Sequence, residues 1–176
     1  MSQPPPGPAE SSFEMRRAFD AVFAAAPPEA SAPMEDLLAI DLAGVPYAVR
    51  LSEVAGVFKG RRVAKLPGPL PDFLGVAGIQ GRLVPVYDLR MLMGHAAPAA
   101  PGWLLLVVAP DPLGLAFDAL AGQFRVAREH VAAARSGRMH VSHAVTAAGP
   151  LRHLLDVASV VEAIGSRVRP AAAKER

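Results

Sequence analysis

The chain has 176 residues with a formal net charge of +2, and hydrophobic residues fill 52% of its positions against 19% for charged ones. This length suits one domain with tails, and the hydrophobic share is large enough to form a core. The absence of cysteine excludes disulfides, thiolate metal sites, iron–sulfur clusters and cysteine catalysis.

The sequence also argues against a membrane or a nucleic acid as the partner. The N-terminal residues 1–10 lack the basic and apolar regions of a signal peptide. The longest apolar run, residues 103–110, is far short of the roughly 20 residues that a membrane helix needs. The basic clusters are short and lack the interleaved aromatic residues of a nucleic-acid interface. We therefore expect a soluble cytoplasmic protein that neither inserts into a membrane nor binds nucleic acid.

Residues 1–33 are predicted to be a Pro/Ala-rich extension that contains one short amphipathic helix. Ser11 and Glu14 have the spacing of a capping box, and the prolines at 27–28 would end the helix. Four apolar residues recur at helical spacing on one side of it, namely Met15, Phe19, Val22 and Phe23. This stripe either packs on the protein's own domain or is a docking helix for the groove of a partner.

Residues 34–165 are predicted to form the folded domain, and residues 166–176 a flexible tail. Short β-prone runs, separated by turn residues, cover residues 37–42, 45–50, 62–66, 75–80, 83–87, 103–109, 113–120, 123–126, 144–147 and 151–156. Helical turns are predicted at 51–57, with Ser52 as a candidate cap, and at 157–164, with Gly165 at the end. Strands at such regular spacing indicate a mainly β fold, a sandwich or a barrel. The pattern divides near residue 100 into similar halves, as two small packed barrels would.

The central hairpin is the most informative part of the chain. Its two apolar runs flank a predicted type II′ turn at Gly81–Arg82, because that turn type needs positive φ at its first central position. Pro85 lies inside the second run and lacks a backbone donor, which predicts an edge strand or a bulge. Asp88 is expected to cap a short helix over residues 89–93, and Gly94 to end it.

No residue pattern in the chain points to catalysis or to a bound cofactor. His140 and His143 are three residues apart, but two ligands do not fill a metal site and no third candidate lies nearby in sequence. The chain lacks the motifs of a serine nucleophile elbow and of a dinucleotide-binding loop. We therefore expect no catalytic residue, no metal and no cofactor. An enzyme whose site is assembled only in space remains an alternative.

At the central hairpin the sequence resembles CheW-like domains, the coupling proteins of bacterial chemosensory arrays. The matching residues are Phe73, Leu74, Gly75, Val76, Gly81, Pro85, Val86, Asp88, Leu89 and Arg90. Weaker matches extend over most of residues 35–164. The resemblance implies two five-stranded β-barrels that share a hydrophobic core, and a non-enzymatic adaptor of chemotaxis signalling. It also implies two partners, the regulatory domain of a CheA-type histidine kinase and the cytoplasmic tip of a chemoreceptor.

The sequence departs from the family pattern at two positions near the expected receptor groove. The family often has Glu where this chain has Gly56, and it usually has Arg where this chain has Gln80. We expect that groove to be lined by Val54, Gly56, Gly75, Gln80 and Gly81. The two departures predict an unusual receptor or a different partner, in motility or another signalling pathway. A small-molecule-binding β-barrel sensor, with an enclosed apolar pocket, is the other alternative.

Overall fold

The computed structural model describes residues 33–68, 70–97, 99–133, 139–146 and 149–172. The predicted N-terminal helix with Met15, Phe19, Val22 and Phe23 lies outside these ranges. The described elements, in chain order, are β1 (Met34–Leu42), β2 (Val45–Arg50), β3 (Val54–Lys59), β4 (Phe73–Ile79), β5 (Arg82–Asp88), α1 (Leu89–Leu92), β6 (Trp103–Val107), β7 (Gly114–Phe117), β8 (Ala119–Ala127), β9 (Val131–Ala133), β10 (Val141–Val145), β11 (Arg152–Leu155) and α2 (Val157–Ala172). The expectation of a mainly β fold is confirmed.

The strands form two sheets, one in the order β8-β1-β2-β11-β10-β9 and the other in the order β3-β6-β7-β5-β4. Strands β1 and β2 belong to the six-stranded sheet, β3 to β7 to the five-stranded sheet, and β8 onward to the six-stranded sheet again. The sheets therefore do not divide the chain near residue 100, contrary to the sequence-based expectation. Within the described residues the strand order closes neither sheet into a ring, and one sheet has six strands where five were expected.

The main hydrophobic core lies between the two sheets and α2. It contains fully buried side chains from both sheets, among them Tyr47 and Leu155 from one and Leu105 and Phe117 from the other. Because side chains alternate along a strand, β1 directs Leu38, Ile40 and Leu42 into this core. Its neighbour Leu37 packs instead into a second cluster on the opposite face, with Ala48, Val126, Val145 and Leu154. The five-stranded sheet has its own cluster, built around Ile79, Val84 and Val86.

The turn of the central hairpin lies one residue earlier than predicted. Ile79 pairs with Arg82, so the two loop residues are Gln80 and Gly81 rather than Gly81 and Arg82. Their φ values of 48° and 76° are both positive. This is the signature of a type I′ turn, which matches the right-handed twist of the flanking strands. The prediction of a type II′ turn is therefore wrong, because the pairing register and not the glycine alone sets the turn.

Pro85 lies in an interior strand, because β5 pairs with β4 on one side and β7 on the other. The prediction of an edge strand is therefore wrong. The β5–β7 pairs begin at Val86 with Gly114, so Pro85 precedes the ladder that would require its missing N–H. The irregularity in the β4–β5 pairing falls on the partner strand, between Phe73 and Gly75.

Two short elements differ from their predictions. The helical turn expected over residues 51–57 is only a 3-10 turn, Leu51–Glu53, which Arg50 precedes without a side-chain cap. The rest of that segment forms β3 because it pairs with β6. The strand expected over residues 62–66 is reduced to one isolated bridge, between Ala64 and Val76.

The C-terminal helix α2 is longer than predicted, since it continues past Gly165 to Ala172. Residues 166–172, predicted as part of a tail, form the last turns of α2. Arg167, beyond Gly165, donates two hydrogen bonds to the Asp72 carboxylate at 3.1 and 3.0 Å. The Asp72 side chain is only 3% exposed, and a carboxylate in such a position needs a charged partner. This long-range contact holds the last turns of α2 against the start of β4.

A buried charge network around Arg90 joins the two sheets. Asp88 caps α1 as predicted, accepting a hydrogen bond from the Arg90 backbone N–H at 3.0 Å. The Arg90 guanidinium donates to both oxygens of Asp88, at 2.9 and 2.6 Å, and to Asp118 at 2.6 Å. Asp118 also accepts the N–H of Ala43 at 2.7 Å. Since Asp88 ends β5 and Ala43 lies in the β1–β2 turn, one guanidinium connects the five-stranded sheet to the six-stranded one.

We expect Arg90→Met to lower the free energy of unfolding by about 3–5 kcal/mol, because it leaves the buried Asp88 carboxylate without its partner. The matched control is Arg125→Met, which removes the exposed ion pair between Arg125 and Asp36 and should change stability little. Urea unfolding of both variants measures the difference. Equal losses in the two variants would show that the Arg90 network does not hold the sheets together.

Candidate partner-binding surface

The five residues expected to line a receptor groove lie on three parts of the five-stranded sheet. Val54 and Gly56 belong to β3, which is at one end of the strand order. Gly75 belongs to β4 at the other end, and Gln80 and Gly81 form the β4–β5 turn. The structure therefore brings the last two directly together. Whether the five act as one binding surface depends on how the two ends of the sheet approach each other.

The chain between β3 and β4 runs along the free side of β4 and is fixed there by Gly75. The backbone of Ala64 exchanges two hydrogen bonds with that of Val76, at 2.8 and 3.0 Å. A Cβ at Gly75 would lie 2.0 Å from the Ala64 carbonyl oxygen, and Gly75 has a φ of +129°. Only glycine fits both conditions. Gly75 is thus buried beneath this crossing segment, and its lack of a side chain allows the segment to pack directly against β4.

The end of β3 and the β4–β5 turn share one hydrophobic cluster. Phe58 of β3 and Val63 of the crossing segment both pack against the cluster that contains Ile79 and Val84. The same cluster contains Leu104 and Leu106 of β6, so it spans one face of the five-stranded sheet from β3 to β4.

Gly56 leaves space for the aromatic ring of Phe58. A Cβ at Gly56 would lie 3.1 Å from two atoms of that ring. The guanidinium of Arg61 lies 5.2 Å from the centre of the same ring, within the range of a cation–π interaction. A larger side chain at position 56 would have to displace both groups. At the position of this departure, the Phe58 ring therefore occupies the space beside the glycine.

Two exposed apolar side chains occur near this region. Leu83, directly after the β4–β5 turn, is 77% exposed, and Leu66 in the crossing segment is 48% exposed. Leu83 faces Gly78 across the β4–β5 pair, and Gly78 has no heavy atom within 4 Å of its would-be Cβ. Single exposed leucines are common on protein surfaces. Here they stand beside an open strand position, which leaves room for a partner.

An open groove lies between α2 and the β6–β7 loop. It encloses about 490 Å³, and its lining includes Pro85 and Tyr87 of β5, with Asp111 and Glu162 among its polar residues. Burial raises the pKa of the Tyr87 phenol, and the nearby Asp72 carboxylate raises it further. Sequence reasoning missed this groove because three distant segments line it, including helix residues that were predicted to be tail.

A second cluster of charges lies at the start of β3. The Arg50 Nε donates to Glu35 at 2.6 Å, and its Nη1 is 4.0 Å from a Glu53 oxygen. The other Glu53 oxygen is buried without a hydrogen-bond partner in the part of the chain that the structure describes. Burial raises the pKa of Glu53; Arg50 opposes this shift, while Asp156 and Glu35 add to it.

The two histidines with possible metal-ligand spacing are in different settings. The His140 ring is hydrogen-bonded to Ser159 Oγ at 2.8 Å, while His143 is in β10 and pairs with Leu154. Within the described ranges, no three His, Asp or Glu side chains lie together as a metal ion would require. The same ranges contain no helix that is long and apolar enough to cross a membrane.

These features define a mainly β domain with two packed sheets and a filled core. A family model described as CheW-like domain matches residues 36–165. The chain therefore belongs to the CheW-like domain family, a family of chemotaxis scaffold and adaptor proteins. The resemblance identified from the central hairpin is confirmed.

A similar solved structure is the crystal structure of the scaffolding protein TtCheW from Thermoanaerobacter tengcongensis. It superimposes with a TM-score of 0.65 at 16% sequence identity, over 70% of this chain and 89% of TtCheW. At this identity the similarity establishes the fold. A search of curated proteins finds no significant match.

We expect Gly75→Ala to lower the free energy of unfolding by about 2–4 kcal/mol, from strain at positive φ and the clash with Ala64. The matched control is Gly78→Ala on the same strand. It should be neutral or slightly stabilising, because Gly78 has open space and no positive φ. Chemical unfolding measures both variants. A tolerated alanine at position 75 would mean that the crossing segment is not held against β4.

We expect Glu53→Gln to stabilise the protein at neutral pH, with a gain that disappears in acid. The pKa of Glu53 in the folded protein lies above its ordinary value of 4.5. Between 4.5 and this raised pKa, the folded protein binds more protons than the unfolded protein does. Its stability therefore falls as the pH rises through that range. Melting temperatures across the acid range, relative to wild type, measure the effect. Glu129→Gln removes the same charge from an exposed position. A stability difference independent of pH would contradict the role of burial.

Proposed function

We propose that this protein is a non-enzymatic adaptor that couples chemoreceptors to a CheA-type histidine kinase. The observation that carries the proposal is the match of a CheW-like domain to residues 36–165, a stretch that contains most of both sheets. The similar TtCheW structure is that of a scaffolding protein. The proposed partners are the kinase regulatory domain and the receptor cytoplasmic tip.

An adaptor of this kind acts through binding free energy alone. It shifts a kinase between states only if it binds those states with different affinity. The filled core between the sheets supports such a role, since it leaves the outer surface as the functional part. A small-molecule sensor would instead need a pocket that covers most of its ligand, and the groove beside α2 is open to solvent.

We further propose that Val54, Gly56, Gly75, Gln80 and Gly81 mark the receptor-facing region and that its specificity differs from the family pattern. Support comes from the close packing at Gly56, where Phe58 lies 3.1 Å from the would-be Cβ. A glutamate at position 56 and an arginine at position 80 could pair with each other. Their joint absence leaves no unpaired charge, but this chain then lacks two charged groups that a receptor of ordinary sequence would meet.

Isothermal titration of the full chain with a CheA-type regulatory domain and with a receptor cytoplasmic tip tests the proposal. We expect the kinase domain to bind, and a receptor tip of ordinary sequence to bind weakly. Gly56→Glu combined with Gln80→Arg should strengthen receptor binding about tenfold, equivalent to about 1.4 kcal/mol. The matched control, Gly78→Glu with Gln80→Arg, makes the same charge changes with the glutamate placed at Gly78, where there is open space.

Each proposal has its own contradicting result. Tight binding of the wild-type protein to an ordinary receptor tip, unaffected by Gln80→Glu, would contradict the proposed change in specificity. It would not contradict the adaptor role. Failure to bind any kinase regulatory domain, together with recovery of neither kinase nor receptor by affinity capture from the native cell, would overturn the adaptor role.

A further inference from the structure

The end of β3, the crossing segment beside β4 and the start of β5 together carry five positive charges that no carboxylate of the described residues balances. We call this group the cationic ridge, and it consists of Lys59, Arg61, Arg62, Lys65 and Arg82. All five residues are exposed. Within the described part of the chain, none of them lies within 4.0 Å of an Asp or Glu oxygen, unlike Arg50, Arg90, Arg125 and Arg167.

The strand geometry places Arg62, Lys65 and Arg82 around β4. Ala64 pairs with Val76 in an antiparallel bridge. Arg62 is two residues from this bridge, in the same crossing segment. The Lys65 Cα is 3.0 Å from the would-be Cβ of Gly75. Arg82 pairs with Ile79 at the turn end of β4.

The charge of this region is opposite in sign to that of the rest of the chain. Residues 54–87 contain the five cations and a single carboxylate, Asp72, whereas the whole chain has a net charge of only +2. Asp72 is buried and bound by Arg167, so it does not offset the ridge. The remaining sequence is therefore net negative, and a partner meets a strongly asymmetric field.

Two of the cations are held in place by aromatic rings. Lys59 Nζ lies 5.5 Å from the centre of the Trp103 ring, and the Arg61 guanidinium lies 5.2 Å from that of Phe58. Such cation–π contacts order long side chains before a partner binds and so reduce the entropic cost of binding. They also cover the ring faces on which the bases of a single strand would stack. Cations held in fixed positions can pair with the carboxylates of an acidic protein segment at a low entropic cost.

The ridge also has an apolar component. Leu66 and Leu83 are exposed beside it, and Gly78 leaves an open position where a partner backbone can approach. Mixed charged and apolar contacts of this kind are typical of protein–protein interfaces. We infer that the cationic ridge binds an acidic protein segment whose apolar side chains contact Leu66 and Leu83. This inference rests on the charge distribution and does not depend on the proposed adaptor function.

The test measures binding of short fluorescein-labelled peptides to the full chain by fluorescence anisotropy. One peptide alternates glutamate with leucine and serine. The control peptide has the same sequence with glutamine in place of every glutamate. We expect the acidic peptide to bind, the glutamine peptide to bind at least about tenfold more weakly, and the acidic binding to weaken as salt rises. A DNA duplex and anionic phosphatidylserine vesicles serve as competing classes of ligand.

A matched pair of double variants locates the binding. Arg62→Gln with Arg82→Gln should weaken binding of the acidic peptide about tenfold, since each lost contact is worth up to about 1 kcal/mol. Arg125→Gln with Arg128→Gln removes the same charge from two exposed residues outside the ridge and should change binding less than about twofold. Unchanged melting temperatures of both variants establish that the fold is intact.

Three results would overturn the inference. The first is equal loss of binding in the two double variants, which would show a general charge effect. The second is equal affinity for the acidic and glutamine peptides, or no binding to either. The third is tighter binding of the DNA duplex or of the vesicles than of the acidic peptide, which would assign the ridge to another class of partner.

Discussion

One guanidinium group holds the two sheets of this domain in register. Arg90 is buried, and it joins Asp88 at the end of β5 to Asp118 between β7 and β8, which in turn accepts the N–H of Ala43. A buried charge of this kind gains little net stability over an apolar replacement, but it strongly penalises arrangements in which its partners are separated. The apolar core can slide or repack at modest cost. The network is satisfied in the observed arrangement of β5 and the β1–β2 turn, and it thereby helps to fix the position of the loops at the outer surface.

A second constraint shapes the surface itself, and it is steric. The chain between β3 and β4 lies so close to Gly75 that a Cβ would reach the Ala64 carbonyl. This contact fixes Ala64 beside Val76, and Phe58 fills the space that Gly56 leaves. The exposed cations Arg62 and Lys65 lie within two residues of that bridge, so packing required by the fold positions part of the charge that a partner meets.

The surface of this domain has the features expected of the scaffold and adaptor proteins of the CheW-like domain family. The matched region, residues 36–165, holds the core, while its outer surface carries an open groove, exposed leucines and an unbalanced row of cations. A scaffold needs specificity more than it needs catalytic chemistry, and specificity comes from complementary charge and shape on an otherwise rigid body. The proposed change in receptor specificity rests on the departures at Gly56 and Gln80, which lie on this outer surface.

Local sequence determined the elements whose signals lie within a few residues. These include the β1–β2 hairpin, the Asp88 cap of α1, and the alternation that buries one face of each strand. The family resemblance also came from one short hairpin. Only the tertiary structure decided the turn type at Gln80–Gly81, the interior place of Pro85 and the length of α2. The turn type follows from the β4–β5 register, whereas the other two depend on partners far away in sequence, β7 for Pro85 and Asp72 for the end of α2. Periodicity and propensity carry no information about contacts at that range.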